Sequence, residues 1–328
     1  MKILRIAGAA LALAAAALVQ PALAESQVVL KFPHEAPETA IKGRTAKLFA
    51  ELVEKYSGGA LRVEVYPGAQ LIPSKDEVRA AIRGQVDIIA PQTSYFSSLD
   101  PAFDLFYQPL LFGDAVQAMG AVAGDLGRDL MARLERVGLI GLAIWHDGPG
   151  YLFVKGEPVR TIEDIAGRKI RVFPSAPLEE GLRTVGAIPV SILASEVYLA
   201  LQQGVVEGVI TTPTYAAPAR WYEVVKGMTR MPMFVGGYGV TINKASWGKL
   251  SDKQREALTR AVREAETWNY DEALRNLAAA EKTLADNGVR IADLTPEQLS
   301  AWRTRMEAVY DKQSAELKAL IGEVRKTY

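Results

Sequence analysis

The chain has 328 residues, with 38 Lys and Arg balanced by 38 Asp and Glu, no cysteine and two histidines, His34 and His146. Those counts exclude thiolate metal sites, cysteine nucleophiles and disulfides, and leave too few imidazoles for a histidine metal cluster. Balanced charge gives no electrostatic footprint for nucleic acid, and 49% apolar with 23% charged residues is an ordinary globular composition at a length that suits two domains.

The N-terminus reads as an export signal. Lys2 and Arg5 head an uncharged stretch from Ile6 to Val19, and Ala22-Leu23-Ala24 supplies the small-residue pattern for cleavage after Ala24. Fourteen apolar residues fall short of the roughly 20 that a membrane-crossing helix needs. The expectation is a chain exported to the periplasm and carrying no lipid anchor, since no cysteine follows the signal. A cysteine-free chain in an oxidising compartment must be held by core burial alone.

Short apolar runs then alternate with helical patterns, which predicts α/β architecture. Val28-Val29-Leu30-Lys31-Phe32 reads as a strand. A helix over 39–56 follows, with Ala46, Phe49, Ala50 and Val53 at helical spacing and Gly58-Gly59 as its stop. Residues 61–66 alternate with period two and end at Pro67-Gly68, a second strand. The segment Glu77 to Ile89 resembles the slightly longer Glu196 to Ile210. Each copy reads as a helix, a Gly stop, an acidic residue and a buried strand that runs into a polar loop, Pro91-Gln92-Thr93-Ser94 or Thr211-Thr212-Pro213. Either this is a common α/β connection used twice, or two similar lobes aim strand ends at one crevice.

Thr161 is placed to cap a short helical turn closed by Gly167, and a strand starts at Lys169. Ser251 with Gln254 forms a capping box for a helical pattern that runs to Asn287-Gly288. At about 1.5 Å per residue the pattern is roughly 55 Å long, enough to lie across two lobes; two helices meeting near Trp268-Asn269-Tyr270 is the other reading. A last helix is expected over 296–326.

Catalytic signatures are missing. There is no P-loop, dinucleotide-binding glycine pattern, Gly-x-Ser-x-Gly elbow, His-Glu-x-x-His or calcium loop. Glu179-Glu180 reads as a solvated helix face, and His146, after Leu142-Ala143-Ile144-Trp145, as a loop or rim residue; His34 ends the first strand in the same way. Neither a catalytic set, a metal nor a cofactor is expected. One cation is better placed. In Lys169-Ile170-Arg171-Val172-Phe173-Pro174 the strand stops at Pro174, which puts Arg171 near its carboxyl end, where open α/β sheets bind ligands. A guanidinium there either grips a ligand carboxylate through two parallel hydrogen bonds or closes a surface salt bridge; spacing leaves both open.

Several blocks resemble the periplasmic substrate-binding proteins of TRAP transporters, DctP type. They are Gly167 through Val172 with Gly186-Ala187-Ile188-Pro189-Val190, Ser195 through Gly208, Tyr222-Glu223-Val224, Tyr66 through Leu71, and Gly84-Gln85-Val86-Asp87. The resemblance implies a two-lobed α/β periplasmic binding protein, type II-like, with a long helix spanning both lobes. Lobe I would comprise 25–148 with 237–276, and lobe II 149–236 with 277–328. It implies a monomer that traps a small organic acid anion, mono- or dicarboxylate, aromatic ones included, and hands it to TRAP permease subunits driven by a sodium gradient. Arg171 stands at the family's carboxylate-gripping arginine, Thr211 where many members carry an asparagine, and Gln92 at a ligand-contacting position of sialic-acid-binding relatives. Where many relatives place a second arginine this chain has Gly150, which speaks against a highly charged substrate. Aromatic residues are available to pack an apolar body. The expected ligand-binding set is Arg171, Thr211, Gln92, Thr93, Phe173, Trp145, Tyr215, Tyr238 and His34. A sensor or ABC-importer component is the alternative, and a secreted two-domain enzyme a more distant one.

Overall fold

The computed structural model describes residues 27–112 and 115–327, and the expected signal at 1–24 lies outside them. Strand β1 (Val28–Pro33) and β2 (Leu61–Tyr66) pair in parallel, with α1 (Ile41–Tyr56) as the crossover. Period-two alternation turns Leu30, Phe32, Leu61 and Val63 onto the face that meets Ala46, Phe49 and Val53 of α1. Helix α2 (Ser74–Ile82) leads through Gly84, at φ +69°, into β3 (Ile88–Ile89). Helices α3 (Ala115–Ala123) and α4 (Asp125–Ala132) precede β4 (Leu139–His146).

The chain then enters a second sheet. Strands β5 (Gly150–Val154) and β6 (Lys169–Val172), helix α5 (Ala176–Thr184), β7 (Ile188–Ser191), α6 (Val197–Gln202), β8 (Gly208–Thr211), α7 (Pro213–Ala216) and β9 (Gly227–Phe234) follow in order. Strand β10 (Gly237–Asn243) returns to the first lobe, followed by α8 (Lys244–Lys249) and α9 (Asp252–Asp286). Strand β11 (Arg290–Ala292), α10 (Pro296–Tyr310) and α11 (Ala315–Thr327) complete the order. One sheet runs β3-β10-β4 and the other β11-β9-β5-β8-β6-β7. Strand β1 joins the first through Asp87, whose amide donates to Lys31 O at 3.2 Å while its carboxylate accepts from Lys31 N at 2.8 Å. Among the described residues the backbone crosses between the sheets directly at 147–149 and at 235–236, and a third time through α9, which leads from β10 to β11. The result is a two-lobed α/β fold.

Helix α9 is one unbroken helix of 35 residues, about 52 Å at the standard rise. It packs on α1 and β4 of one lobe and on α7 of the other. Both halves of the capping box form: Ser251 Oγ accepts from Gln254 N at 3.3 Å, and Gln254 Oε1 from Ser251 N at 2.9 Å. Asn269, a weak helix former, is retained mid-helix because its side chain is fully used. Its Oδ1 accepts from His146 N, and its Nδ2 donates to His146 O at 3.2 Å and to Thr45 Oγ1 at 3.0 Å.

Three expectations need correction. The single helix over 296–326 is two helices, because Asp311-Lys312-Gln313-Ser314 offers no apolar residue to the core and the Ser314 hydroxyl accepts from Leu317 N at 3.2 Å to start α11. The turn expected over 161–167 forms and ends at Gly167, φ +77°, but the residue that closes it is not Thr161. It is closed by the Asp164 carboxylate, which takes the amides of Thr161 and Arg160 at 2.8 and 2.9 Å. His146 is no rim residue: it is the last residue of β4 and wholly buried. Glu179 and Glu180 do form surface ion pairs, with Arg183 and Lys312.

Replacing the cap by Ser251→Ala should lower stability by about 1 kcal/mol. Urea unfolding should show a reduced midpoint with an unchanged slope; an unaltered midpoint would mean that the box contributes nothing to anchoring α9.

Candidate functional site

The two repeat copies are α2-β3 in one lobe and α6-β8 in the other, and both turn through a glycine at positive φ, Gly84 at +69° and Gly204 at +73°. Residues at or beyond the end of each strand face one cavity from opposite sides, Gln92 from the first lobe and Thr211 with Thr212 from the second. The cavity has a volume of about 40 Å³. A single water requires about 10–15 Å³, so the closed space suits a short molecule.

Arg171 forms part of the second-lobe wall. Strand β6 lies between β7 and β8, which seats Arg171 opposite Val190 and Val209. Its side chain is 3% exposed. Nε donates to Ile192 O at 2.8 Å, which fixes the plane of the guanidinium, and Cζ lies 5.8 Å from the centre of the Phe173 ring. Among the described residues no carboxylate forms an ion pair with it. Burial lowers its pKa to about 10, partly opposed by Tyr95, Tyr215, Glu35 and Tyr238, so it remains protonated at neutral pH.

Asp147 sits at the first crossing and lines the same cavity. Oδ2 accepts from Thr212 Oγ1 at 2.8 Å and from Tyr238 OH at 2.9 Å, and Oδ1 lies 3.1 Å from Thr214 Oγ1. These hydroxyls come from both lobes, Tyr238 from β10 and the threonines from the end of β8 onward. Burial raises the Asp147 pKa to about 6 despite three donors that pull it down. On the first-lobe side, Tyr107 OH donates to Gln92 Oε1 at 3.0 Å, which leaves the Gln92 amide NH2 for the cavity.

Of the expected set, Arg171, Thr211, Gln92, Phe173, Tyr215 and Tyr238 surround this one cavity. Thr93, Trp145 and His34 do not line it. Thr93 is buried with its hydroxyl 2.8 Å from Tyr107 OH. Trp145 alternates away into the core between Phe32 and Phe49, with ring centroids 5.8 and 6.0 Å away. His34 is buried 6.0 Å from Phe32, and burial together with Lys42 holds its pKa down at about 4. Gly150 has a structural reason: a Cβ there would lie 1.9 Å from the Phe234 ring, itself on the cavity wall, so no arginine fits.

Sequence reasoning missed Glu35 and Asp147 on the wall. Both follow the carboxyl end of a strand, β1 and β4, and that position was the available signal. Among the described residues no group of three or more acidic or histidine side chains could hold a metal ion, and no helix is long and apolar enough to cross a membrane.

Two lobes joined by three passages of the chain, enclosing a cavity whose cation has no carboxylate partner among the described residues, have the architecture of a ligand receptor. The chain belongs to the bacterial extracellular solute-binding protein family 7, DctP, whose model matches residues 32–317. It is 34% identical over 305 residues to the C4-dicarboxylate-binding periplasmic protein DctP of Rhodobacter capsulatus, covering 92% of this chain and 91% of that protein. A TRAP periplasmic solute-binding protein of Shewanella oneidensis with bound succinate superposes with TM-score 0.87 at 28% identity, over 92% of this chain and 98% of the other. A second, from Sulfurospirillum deleyianum and also holding succinate, gives 0.84 at 30% identity over 92% and 99%. This is a transport receptor family rather than an enzyme family.

The buried titrating groups set a testable pH dependence. Burial holds His146 at a pKa of about 4, against an ordinary 6.5. Its contribution is complete above pH 6.5 and is lost as pH falls through 4, because the unfolded chain takes the proton first. Asp147 acts in the opposite sense: its proton is held in the fold to about pH 6 against an ordinary 3.8, so its contribution disappears as pH rises between those values. At 1.36 kcal/mol per unit each shift is worth about 3 kcal/mol. Urea titrations at pH 7 and pH 4 should show that His146→Phe loses less stability on acidification than the parent protein, and Asp147→Asn loses more. Parallel behaviour of all three would contradict the assignment.

Proposed function

We propose that this protein is the periplasmic receptor of a TRAP transporter. It closes two lobes over a small organic carboxylate and delivers that acid to a membrane permease pair energised by a sodium gradient. Lobe I comprises 25–148 with 237–276 and lobe II 149–236 with 277–328; the crossings at 147–149 and 235–236 support those boundaries. Family membership and the names of relatives that bind C4-dicarboxylates support the substrate class. The signal pattern of the first 24 residues supports the compartment.

Arg171 is the observation that carries the reading. A protonated guanidinium, buried on the cavity wall and oriented by a neutral carbonyl, is left with its terminal N–H groups for a carboxylate. Thr211 and the Gln92 amide supply neutral hydrogen bonds, and Phe173, Phe234 and Tyr215 the apolar wall. Asp147 holds the two crossings in the closed arrangement through hydroxyls of both lobes.

Removing one partner of a desolvated charge pair costs about 2–5 kcal/mol. Arg171→Ala should therefore weaken binding of the cognate acid roughly 30- to several-thousand-fold in calorimetry. Arg171→Lys should recover little, since a point charge does not replace the two-pronged fork. Wild-type affinity in either variant would overturn the anchor. Delivery is tested separately, by uptake into proteoliposomes holding the permease pair: uptake should require both this receptor and an inward sodium gradient, and receptor-independent uptake would refute it.

A further inference from the structure

Among the described residues that line the cavity, Arg171 is the one cation, and Glu35 and Asp147 are acids. Lys42 is buried behind the wall, with Nζ 2.5 Å from Glu35 Oε2 and 4.2 Å from the centre of the Tyr238 ring. Its charge is therefore answered by Glu35. Glu77, fully buried near the pair and with neither carboxylate oxygen hydrogen-bonded among the described residues, has its pKa raised by burial, an effect that Lys42 opposes. The Lys42–Glu35 ion pair is neutral as a unit, and its member on the cavity wall is the acid. Glu35 Oε1 has no hydrogen bond among the described residues, whereas Asp147 already receives Thr212, Tyr238 and Thr214.

The cavity is therefore polarised, cationic at Arg171 and acceptor-rich at Glu35. We propose that the acid selected here has a single carboxylate, taken by Arg171, and a hydrogen-bond donor at its other end, a hydroxyl or ammonium group, taken by Glu35. This rests on the carboxylate-receptor reading and narrows it. A dianion sets its second carboxylate against Glu35 and Asp147, and like charges sharing one site oppose the ionisation of both. A plain aliphatic acid leaves the Glu35 acceptor desolvated and unmet. The specificity of this chain then differs from that of relatives named for C4-dicarboxylates, and Glu35 is the residue that sets the difference.

Calorimetry on unbranched acids of three to five carbons tests this, each plain monocarboxylate being compared with its ω-hydroxy, ω-amino and dicarboxylate counterparts. At least one donor-bearing series should bind about 10- to 100-fold tighter than both the plain acid and the diacid, the worth of a hydrogen bond to a charged group. The hydroxy and amino arms tell the two donors apart. Glu35→Gln should erase that margin, and because it frees the Lys42 charge it should improve binding of the diacid. The double variant Glu35→Gln/Lys42→Met, which removes both charges, should lose the margin without that improvement. A diacid that binds best to the wild type and is lost on Lys42→Met would overturn the proposal, since Lys42 would then leave Glu35 for a second carboxylate. In that outcome Arg171→Ala would still weaken binding by the margin given above and the receptor reading would stand. Binding indifferent to Arg171 would instead sink the reading beneath it.

Discussion

A guanidinium that has left water without meeting a carboxylate is the constraint from which the rest of the site follows. Arg171 cannot shed its charge at neutral pH even with its pKa drawn down to about 10. The Ile192 carbonyl and the Phe173 ring compensate it only in part. Closing the lobes around an empty cavity therefore strands a cation, and closing them around an anion completes an ion pair in a site of low dielectric. A ligand shifts an equilibrium only by its differential affinity for the two states. On the proposed function this charge gives a carboxylate that differential affinity and couples lobe closure to ligand capture.

The mechanical counterpart lies at the crossings. His146 ends β4 with both backbone polar groups bound to Asn269 in the middle of α9, and Asp147, the next residue, collects hydroxyls from β10 and from the loop after β8. One dipeptide thus ties the spanning helix to both lobes. Burial of Asp147 makes this knot sensitive to protonation, since a neutral carboxyl donates as well as accepts.

Much of the fold could be read from local chemistry. Period-two alternation located β2 to the residue, the Ser251/Gln254 box located the start of α9, and the two helix-glycine-strand copies turned out to face each other across the cavity. Arg171 was legible because Pro174 fixes where its strand ends. The failures share a cause, which is that burial and direction are tertiary facts. Whether α9 continued through Asn269 depended on partners 224 and 123 residues away, Thr45 and His146. Trp145 and Phe173 are both aromatic residues near strand ends, yet one turns into the core and the other onto the cavity. Glu35 went unnoticed because nothing local shows that α1 brings Lys42 against it.

The most direct measurement is a crystal structure of the protein purified with the acid it captures from its host. This account predicts two carboxylate oxygens of that ligand at about 2.7–2.9 Å from the Arg171 guanidinium nitrogens, with the Ile192 contact retained. A guanidinium paired instead with Glu35 or Asp147, or a ligand whose carboxylate lies away from Arg171, would contradict it.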